Sequence, residues 1–395
     1  MKKVVGILIL ITVLISCGSG YKINENIDSC SLSLTNDSLV FHLDNSTNVL
    51  AKTLYTFTDE QGTEYFTFQN GEENEILIFN MKSGQLLKKI KIDYEGADGV
   101  TRFIGYYIKS LDEIYLSRPD KCEIVVIDGN GHIKKKINYE STDDGQMLIP
   151  GIFATIIYTP LVFKEGVLYI PQSLNPMLKD KMLEKSSVAV TVDTLTNAVK
   201  SLPMRFPPIV SVEDQMNYRT IGNEFSYSRC FNGKQFVYSF FYDEDIYITT
   251  LGHDSTFTRK VKSRYIDKVK PLGYQPSDYN QVMKINCEMP MYRNLIYDKY
   301  RDVYYRIAYP QTEMEKKEDY YEIFQFGRKV FSIIILNKDF DIIGETLFPE
   351  YTYVSGMMFV REDGLYISDS HYKNPSFNED LLSFRRFELK SNKQK

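Results

Sequence analysis

The chain has 395 residues, with 47 Lys and Arg against 52 Asp and Glu, for a net charge of −5. A chain without basic excess is a poor partner for nucleic acid, and the composition is that of a globular protein apart from 30 Tyr, 24 Phe and no Trp. No Pro-, Gly- or Ser-rich linker divides residues 31–390, which favours one large repeat domain over the two or three domains that length alone suggests.

Lys2 and Lys3 precede a nearly continuous apolar run, Val4 to Ile15. It is too short to span a bilayer as a helix, which takes about 20 residues, and has the length of a secretory signal. Leu14-Ile15-Ser16-Cys17 resembles the lipobox read by lipoprotein signal peptidase. That resemblance implies removal of residues 1–16, lipidation of the Cys17 thiol and a mature net charge of −7, since Lys2 and Lys3 are lost. An ordinary secretory signal with an incidental Cys is the competing reading. Several acyl chains on one residue suffice for stable membrane attachment. Residues 17–30, opening with Gly18-Ser19-Gly20, then read as a flexible tether.

A recurrent pattern of strand, strand, tight turn and strand fills the rest. Its copies are Glu64–Phe68, Glu75–Phe79 and Leu86–Ile92; Glu113–Leu116, Glu123–Ile127 and Ile133–Ile137; and Val167–Ile170, Val188–Val192 and Ala198–Leu202. They continue as Gln235–Tyr238, Asp245–Thr249 and Phe257–Val261; Asp302–Tyr305, Phe331–Leu336 and Ile342–Leu347; and Gly364–Ile367 with Leu382–Phe387. The runs are short, alternating and rich in β-branched and aromatic residues. Another such run precedes the copies, as at Arg102–Ile108, Asn294–Tyr297 and Gly356–Val360, making four strands per unit. Units of this kind bury both faces only against one another, which predicts an all-β fold, a six-bladed propeller. The sixth copy lacks a strand and Ser38–Leu43 has no unit, so the N-terminal run is expected to close the last blade and remove its open edge. The long gap between the third and fourth copies leaves seven blades as the alternative.

The C-terminal third resembles an uncharacterised family of Bacteroidota propeller lipoproteins, most closely over residues 290–390. The stretches concerned are Tyr304-Tyr305-Arg306-Ile307, Ser332–Leu336 with Ile343-Gly344-Glu345-Thr346, Gly364–Ser368, and the ending from Asn374-Pro375 through Asp380 to Phe387-Glu388-Leu389. The resemblance implies a fold and a cell-envelope address, with no established activity and no functional residues to carry over. Surface-exported lipoproteins of such bacteria often carry an acidic run after the lipidated Cys. Gly18–Lys22 has none, so the expected place is the outer membrane, facing the periplasm. Asp37-Ser38-Leu39, Asp193-Thr194-Leu195 and Asp254-Ser255-Thr256 resemble the short O-glycosylation sites of these bacteria.

No HExxH, Walker A, GxSxG or dinucleotide-binding glycine motif is present, so no catalytic residue, metal or cofactor is assigned. His42, His132, His253 and His371 fall in separate repeats without ligand spacing, His132 and His253 in turns where a solvated side chain is expected. Asp128-Gly129-Asn130-Gly131 lacks the rest of a calcium loop and reads as a hairpin turn. Cys30, Cys122, Cys230 and Cys287 are widely spaced and read as separately buried thiols, although an oxidising compartment would allow a disulfide.

Five connections expected on one face of the ring are long: 172–187, 310–328 and 369–381 within blades, 203–225 and 266–293 between them. Loops of that length over a rigid scaffold tend to carry function. Arg and Tyr recur there and on the innermost strands. Tyr218, Arg219, Arg229, Tyr292, Arg293, Tyr305, Arg306 and His371 are the candidate ligand-binding residues. Arg presents a planar donor fork and Tyr a stacking face, though both also pack and pair within blades. The function expected is a membrane-anchored binding or scaffold protein for an envelope protein or a carbohydrate. The alternative is a glycan-active hydrolase or lyase at the channel mouth, with Glu224, Asp278, Glu288 and Asp369 as candidate acids.

Overall fold

The computed structural model describes residues 29–50, 53–71, 73–151, 158–217, 223–315 and 317–392. The chain enters on β1 (Cys30–His42). Blade 1 follows as β2 (Tyr55–Thr58), β3 (Glu64–Asn70), β4 (Glu75–Asn80) and β5 (Leu86–Lys91), and blade 2 as β6 (Tyr106–Ser110), β7 (Glu113–Ser117), β8 (Glu123–Ile127) and β9 (Ile133–Asn138). Blade 3 holds β10 (Val162–Lys164), β11 (Val167–Pro171), β12 (Ala189–Asp193) and β13 (Val199–Ser201). Blade 4 holds β14 (Tyr227–Phe231), β15 (Gln235–Phe240), β16 (Asp245–Thr250) and β17 (Thr256–Lys260). Blade 5 holds β18 (Met291–Asp298), β19 (Val303–Tyr309), β20 (Ser332–Leu336) and β21 (Ile342–Leu347). Blade 6 holds β22 (Val354–Arg361), β23 (Gly364–Ser368) and β24 (Leu381–Ser391), and takes β1 as its fourth strand.

Six four-stranded antiparallel sheets make the six-bladed propeller that the repeat predicts. Closure also comes as expected, over a longer span. β1 pairs with β24 from Cys30↔Ser391 to His42↔Leu381, with a bulge between Leu34 and Ser38. The edge of β24 is thereby paired. Between blades the core is aromatic and β-branched. Phe41, Phe66, Phe79, Phe359 and Phe384 form one cluster across the closing seam.

The two ends of the ring differ. Connections from first to second and from third to fourth strands are tight turns, defining a turn face. The remaining connections make a loop face, which carries α1 (Met182–Lys185), α2 (Val212–Met216), α3 (Tyr279–Glu288) and α4 (Tyr320–Phe326). Sequence periodicity gave no sign of these helices because they are only one to three turns long, but their caps are present. Ser211, Asp278 and Asp319 accept backbone N–H groups at the starts of α2, α3 and α4. The described chain starts on the turn face: Ser29 meets Asn392 there, whose N–H donates to the Ser29 carbonyl at 2.7 Å.

One expectation about histidine is overturned. His132 is exposed, but His253 is buried. A left-handed backbone (φ 58°) folds it back so that Nε2 lies 2.6 Å from the Tyr238 hydroxyl. Burial pushes its pKa down to about 4. Cys122, Cys230 and Cys287 are buried and Cys30 is partly exposed, all four as free thiols. Among the described residues no helix is long and apolar enough to cross a membrane.

Candidate functional site

Tyr218 and Arg219 lie outside the described residues. Two of the other candidate arginines turn out to join blades. Arg306, on β19, is wholly buried and reaches into blade 4. Its Nε donates to Ser239 Oγ at 2.8 Å, and its terminal nitrogens donate to the carbonyls of Asp243, Glu244, Asp245 and Val261. All five guanidinium N–H groups are therefore used, and the plane stacks on Tyr292 at 3.7 Å. Arg229, on β14, does the same toward blade 3. It donates to the carbonyls of Pro160 and Tyr169 and to the Tyr238 hydroxyl, and lies over Phe236. Tyr305 is buried with its hydroxyl on Asp298 at 3.1 Å, and the Tyr292 hydroxyl accepts from the Ser263 amide. Arg306, Arg229 and Tyr292 thus hold blade to blade, Tyr305 is tied within blade 5, and the four have little left to offer a ligand.

His371 is buried on the loop face of blade 6. Its Nδ1 accepts from the Lys373 amide, which leaves Nε2–H to donate to the Gly327 carbonyl at 3.2 Å. Burial keeps it neutral, with its pKa lowered to about 4. Beside it Glu318 takes both Lys373 Nζ and the Tyr351 hydroxyl.

Arg293 differs from the other candidates. It starts β18 at the loop face, half-buried, with its guanidinium 4.5 Å from the Phe241 ring. Near it lie two buried residues that sequence reading did not single out, Arg328 from the blade 5 loop and Tyr242 from the turn between β15 and β16. Arg328 donates to the carbonyls of Met289 and Pro310 and covers the Tyr309 ring at 4.8 Å, but its Nε has no partner. The Tyr242 hydroxyl also has none. Desolvation lowers the Arg328 pKa to about 10, and the Arg293 charge adds to that. Among the described residues neither guanidinium has a carboxylate within ion-pair distance. The buried Glu224 is close enough to Tyr242 to raise its pKa, while both guanidinium groups oppose it after desolvation. Two arginines and two unsatisfied donors, Arg328 Nε and the Tyr242 hydroxyl, make a composition suited to an anion.

Of the four candidate acids, the two on α3 are not brought together as a pair. Asp278 and Glu288 stand at opposite ends of α3, about 15 Å apart along a helix of that length. That exceeds the 5–10 Å of a glycosidase pair. Asp369 accepts from Ser383 Oγ in blade 6, and Glu224 belongs to the Tyr242 cluster. No group of His, Cys, Asp and Glu that could hold a metal occurs among the described residues.

A concavity of about 410 Å³ opens where the innermost strands of blades 1 to 4 converge, toward the turn face. Tyr55, Tyr107, Phe163, Phe231 and Lys164 line it with Pro160 and Gly233, and no carboxylate does.

This architecture has close counterparts. A crystal structure of a DUF4221 family member from Bacteroides vulgatus superposes with a TM-score of 0.78 at 27% identity, covering 92% of this chain and 99% of that one. A protein from Bacteroides fragilis superposes at 0.53 with 13% identity, over 92% and 97% of the two chains, a likeness of fold alone. No curated protein sequence matches significantly. The model of the DUF4221 domain, a domain of unknown function, matches residues 29–347. The matched span takes in the closing strand and the first five blades; it extends far N-terminal of residues 290–390 and ends within that stretch, at residue 347. The chain belongs to the DUF4221 family.

Proposed function

We propose that this is a lipid-anchored envelope protein whose loop face binds an acidic ligand or the acidic surface of a partner. The observation that carries the reading is the pair Arg293 and Arg328, with no carboxylate within ion-pair distance among the described residues, beside the unpartnered Tyr242 hydroxyl. Attachment through Cys17 fits the same picture. The described chain begins on the turn face, and a flexible chain of a dozen residues would have a root-mean-square reach of roughly 20 Å. A tether from that face leaves the loop face turned away from the bilayer. The Bacteroides fragilis neighbour, whose name proposes export, agrees with an envelope address; the outer membrane facing the periplasm is the place we propose.

The test uses the full-length protein in nanodiscs with citrate and a poly-glutamate peptide as probes, at ionic strength matched with sodium chloride. Both should raise the melting temperature of the wild type and leave Arg293→Ala unmoved. Equal shifts in the two proteins would refute the reading. Labelling with palmitate in cells, lost in Cys17→Ala, tests the anchor separately.

A further inference from the structure

The pocket at the turn face is chemically unlike the loop face. Four half-buried aromatic rings make its walls, one from each of the innermost strands β2, β6, β10 and β14. Tyr55 stands edge-on to Tyr107, with centroids 6.0 Å apart. Lys164 Nζ lies 3.1 Å from the Gly233 carbonyl and 5.6 Å from the centre of Phe231. Among the described residues no carboxylate lies within ion-pair distance of it. The other ammonium nearby, Lys109 over Phe163 at 4.8 Å, is neutralised by Glu113 at 2.8 Å. The Tyr55 and Tyr107 hydroxyls make no hydrogen bond to the described residues, and desolvation raises both pKa values, so they remain protonated donors.

We propose that this pocket is a second binding site, independent of the loop face, for a six-membered ring bearing a carboxylate. Acidic sugars and aromatic acids share that chemistry. The volume falls in the usual range for small-molecule sites, roughly 300–1,000 Å³. Flat aromatic walls accept a ring by its apolar face. Lys164 supplies the charge for the carboxylate, and the two tyrosine hydroxyls lie at the ring's polar rim. A cationic ligand meets an unshielded ammonium and nothing negative in the lining. A neutral ring gains the walls and leaves the ammonium unused.

The experiment is saturation-transfer NMR on the full-length protein in nanodiscs, with D-glucuronate, benzoate, D-glucose and D-glucosamine as probes. Glucuronate or benzoate should bind, glucose about tenfold more weakly through loss of the charged contact, and glucosamine least. Lys164→Gln should reduce the acid to the level of glucose. Tyr107→Ala should weaken acid and neutral ring alike. Arg293→Ala should change none of these, which separates this site from the loop face. Preference for glucuronate over benzoate identifies the acidic sugar as the source, and the reverse identifies the aromatic acid. Absence of binding by both acids, binding unaffected by Lys164→Gln, or binding removed by Arg293→Ala would overturn the proposal.

Discussion

The ring of Phe41 stacks on that of Phe66, with centroids 4.2 Å apart and planes 22° from parallel. Phe41 is on β1, the outer strand of blade 6, and Phe66 is on β3 of blade 1. The contact therefore joins the last blade to the first. Phe41 is fully buried and also meets Phe79 and Phe384 edge-on. Phe41→Ala should cost about 3–5 kcal/mol, the usual range for a large aromatic removed from a packed core. Urea unfolding followed by tyrosine fluorescence measures it. A loss below about 1 kcal/mol would mean that the seam does not hold the ring.

Deletion of residues 31–45 should do more. It removes the partner of β24 and exposes an edge ready to pair with other chains. The melting temperature and the solubility should both fall. Unchanged values in both would show that the N-terminal strand is dispensable.

Two glycines show how closely β1 is fitted. A Cβ on Gly84, in the last turn of blade 1, would lie 2.0 Å from the Val40 carbonyl oxygen. One on Gly344, in β21 of blade 5, would lie 2.0 Å from the Cys30 carbonyl oxygen. Gly344→Ala must push the start of β1 outward, since both atoms in conflict are backbone. Amide hydrogen exchange should quicken in residues 30–34 and leave 38–42 nearly as slow as before. Unaltered protection at 30–34 would contradict the contact.

Arg306→Met should be strongly destabilising, by more than about 3 kcal/mol, because it leaves several buried acceptors without their donor. Arg306→Lys should recover only part, since an ammonium cannot span the five positions that the planar fork reaches. Full recovery in denaturant titration would argue against the fork geometry.

His253 and His371 both have folded pKa values near 4, below the ordinary 6.5, because burial disfavours the charged ring. The unfolded chain then binds more protons between those limits. Stability is complete above pH 6.5 and falls as the pH drops through the window down to about 4. Each group contributes at most about 3 kcal/mol. A His253→Phe variant should lose part of this acid sensitivity. An unfolding free energy that stays flat from pH 7 to 4.5 in the wild type would exclude the effect.

The blades were legible because each is built of short β-branched and aromatic runs, such as Gln235–Tyr238 and Phe331–Leu336, which need no distant information. The helices of the loop face were not. α2 and α4 are too short for a period to show, and only the caps at Ser211 and Asp319 betray them. Tyr-Arg pairs were visible as residue types, but their roles were not. Four of the five acceptors of Arg306 are backbone carbonyls of the preceding blade, which leave no mark in composition. Arg328 and Tyr242 were missed for a related reason: each is ordinary in its own stretch, and only the packing of blade 4 on blade 5 sets them beside Arg293. The aromatic pocket draws single residues from four blades more than 170 positions apart, from Tyr55 to Phe231.

The ladder between β1 and β24 has a mechanical meaning as well. Any pull on residues 1–28 enters the fold at Ser29 and runs along the axis of β1. The ten residue pairs of that ladder lie across the line of force, so they are loaded together in shear instead of being peeled one after another. Ser29 and Leu32 spread the same load into blade 5, through the Ile343 carbonyl at 3.0 Å and Thr346 Oγ1 at 2.9 Å. A chain held by its N-terminus is thus gripped by two blades at once, and drag on the ring acts on the longest ladder among the described residues.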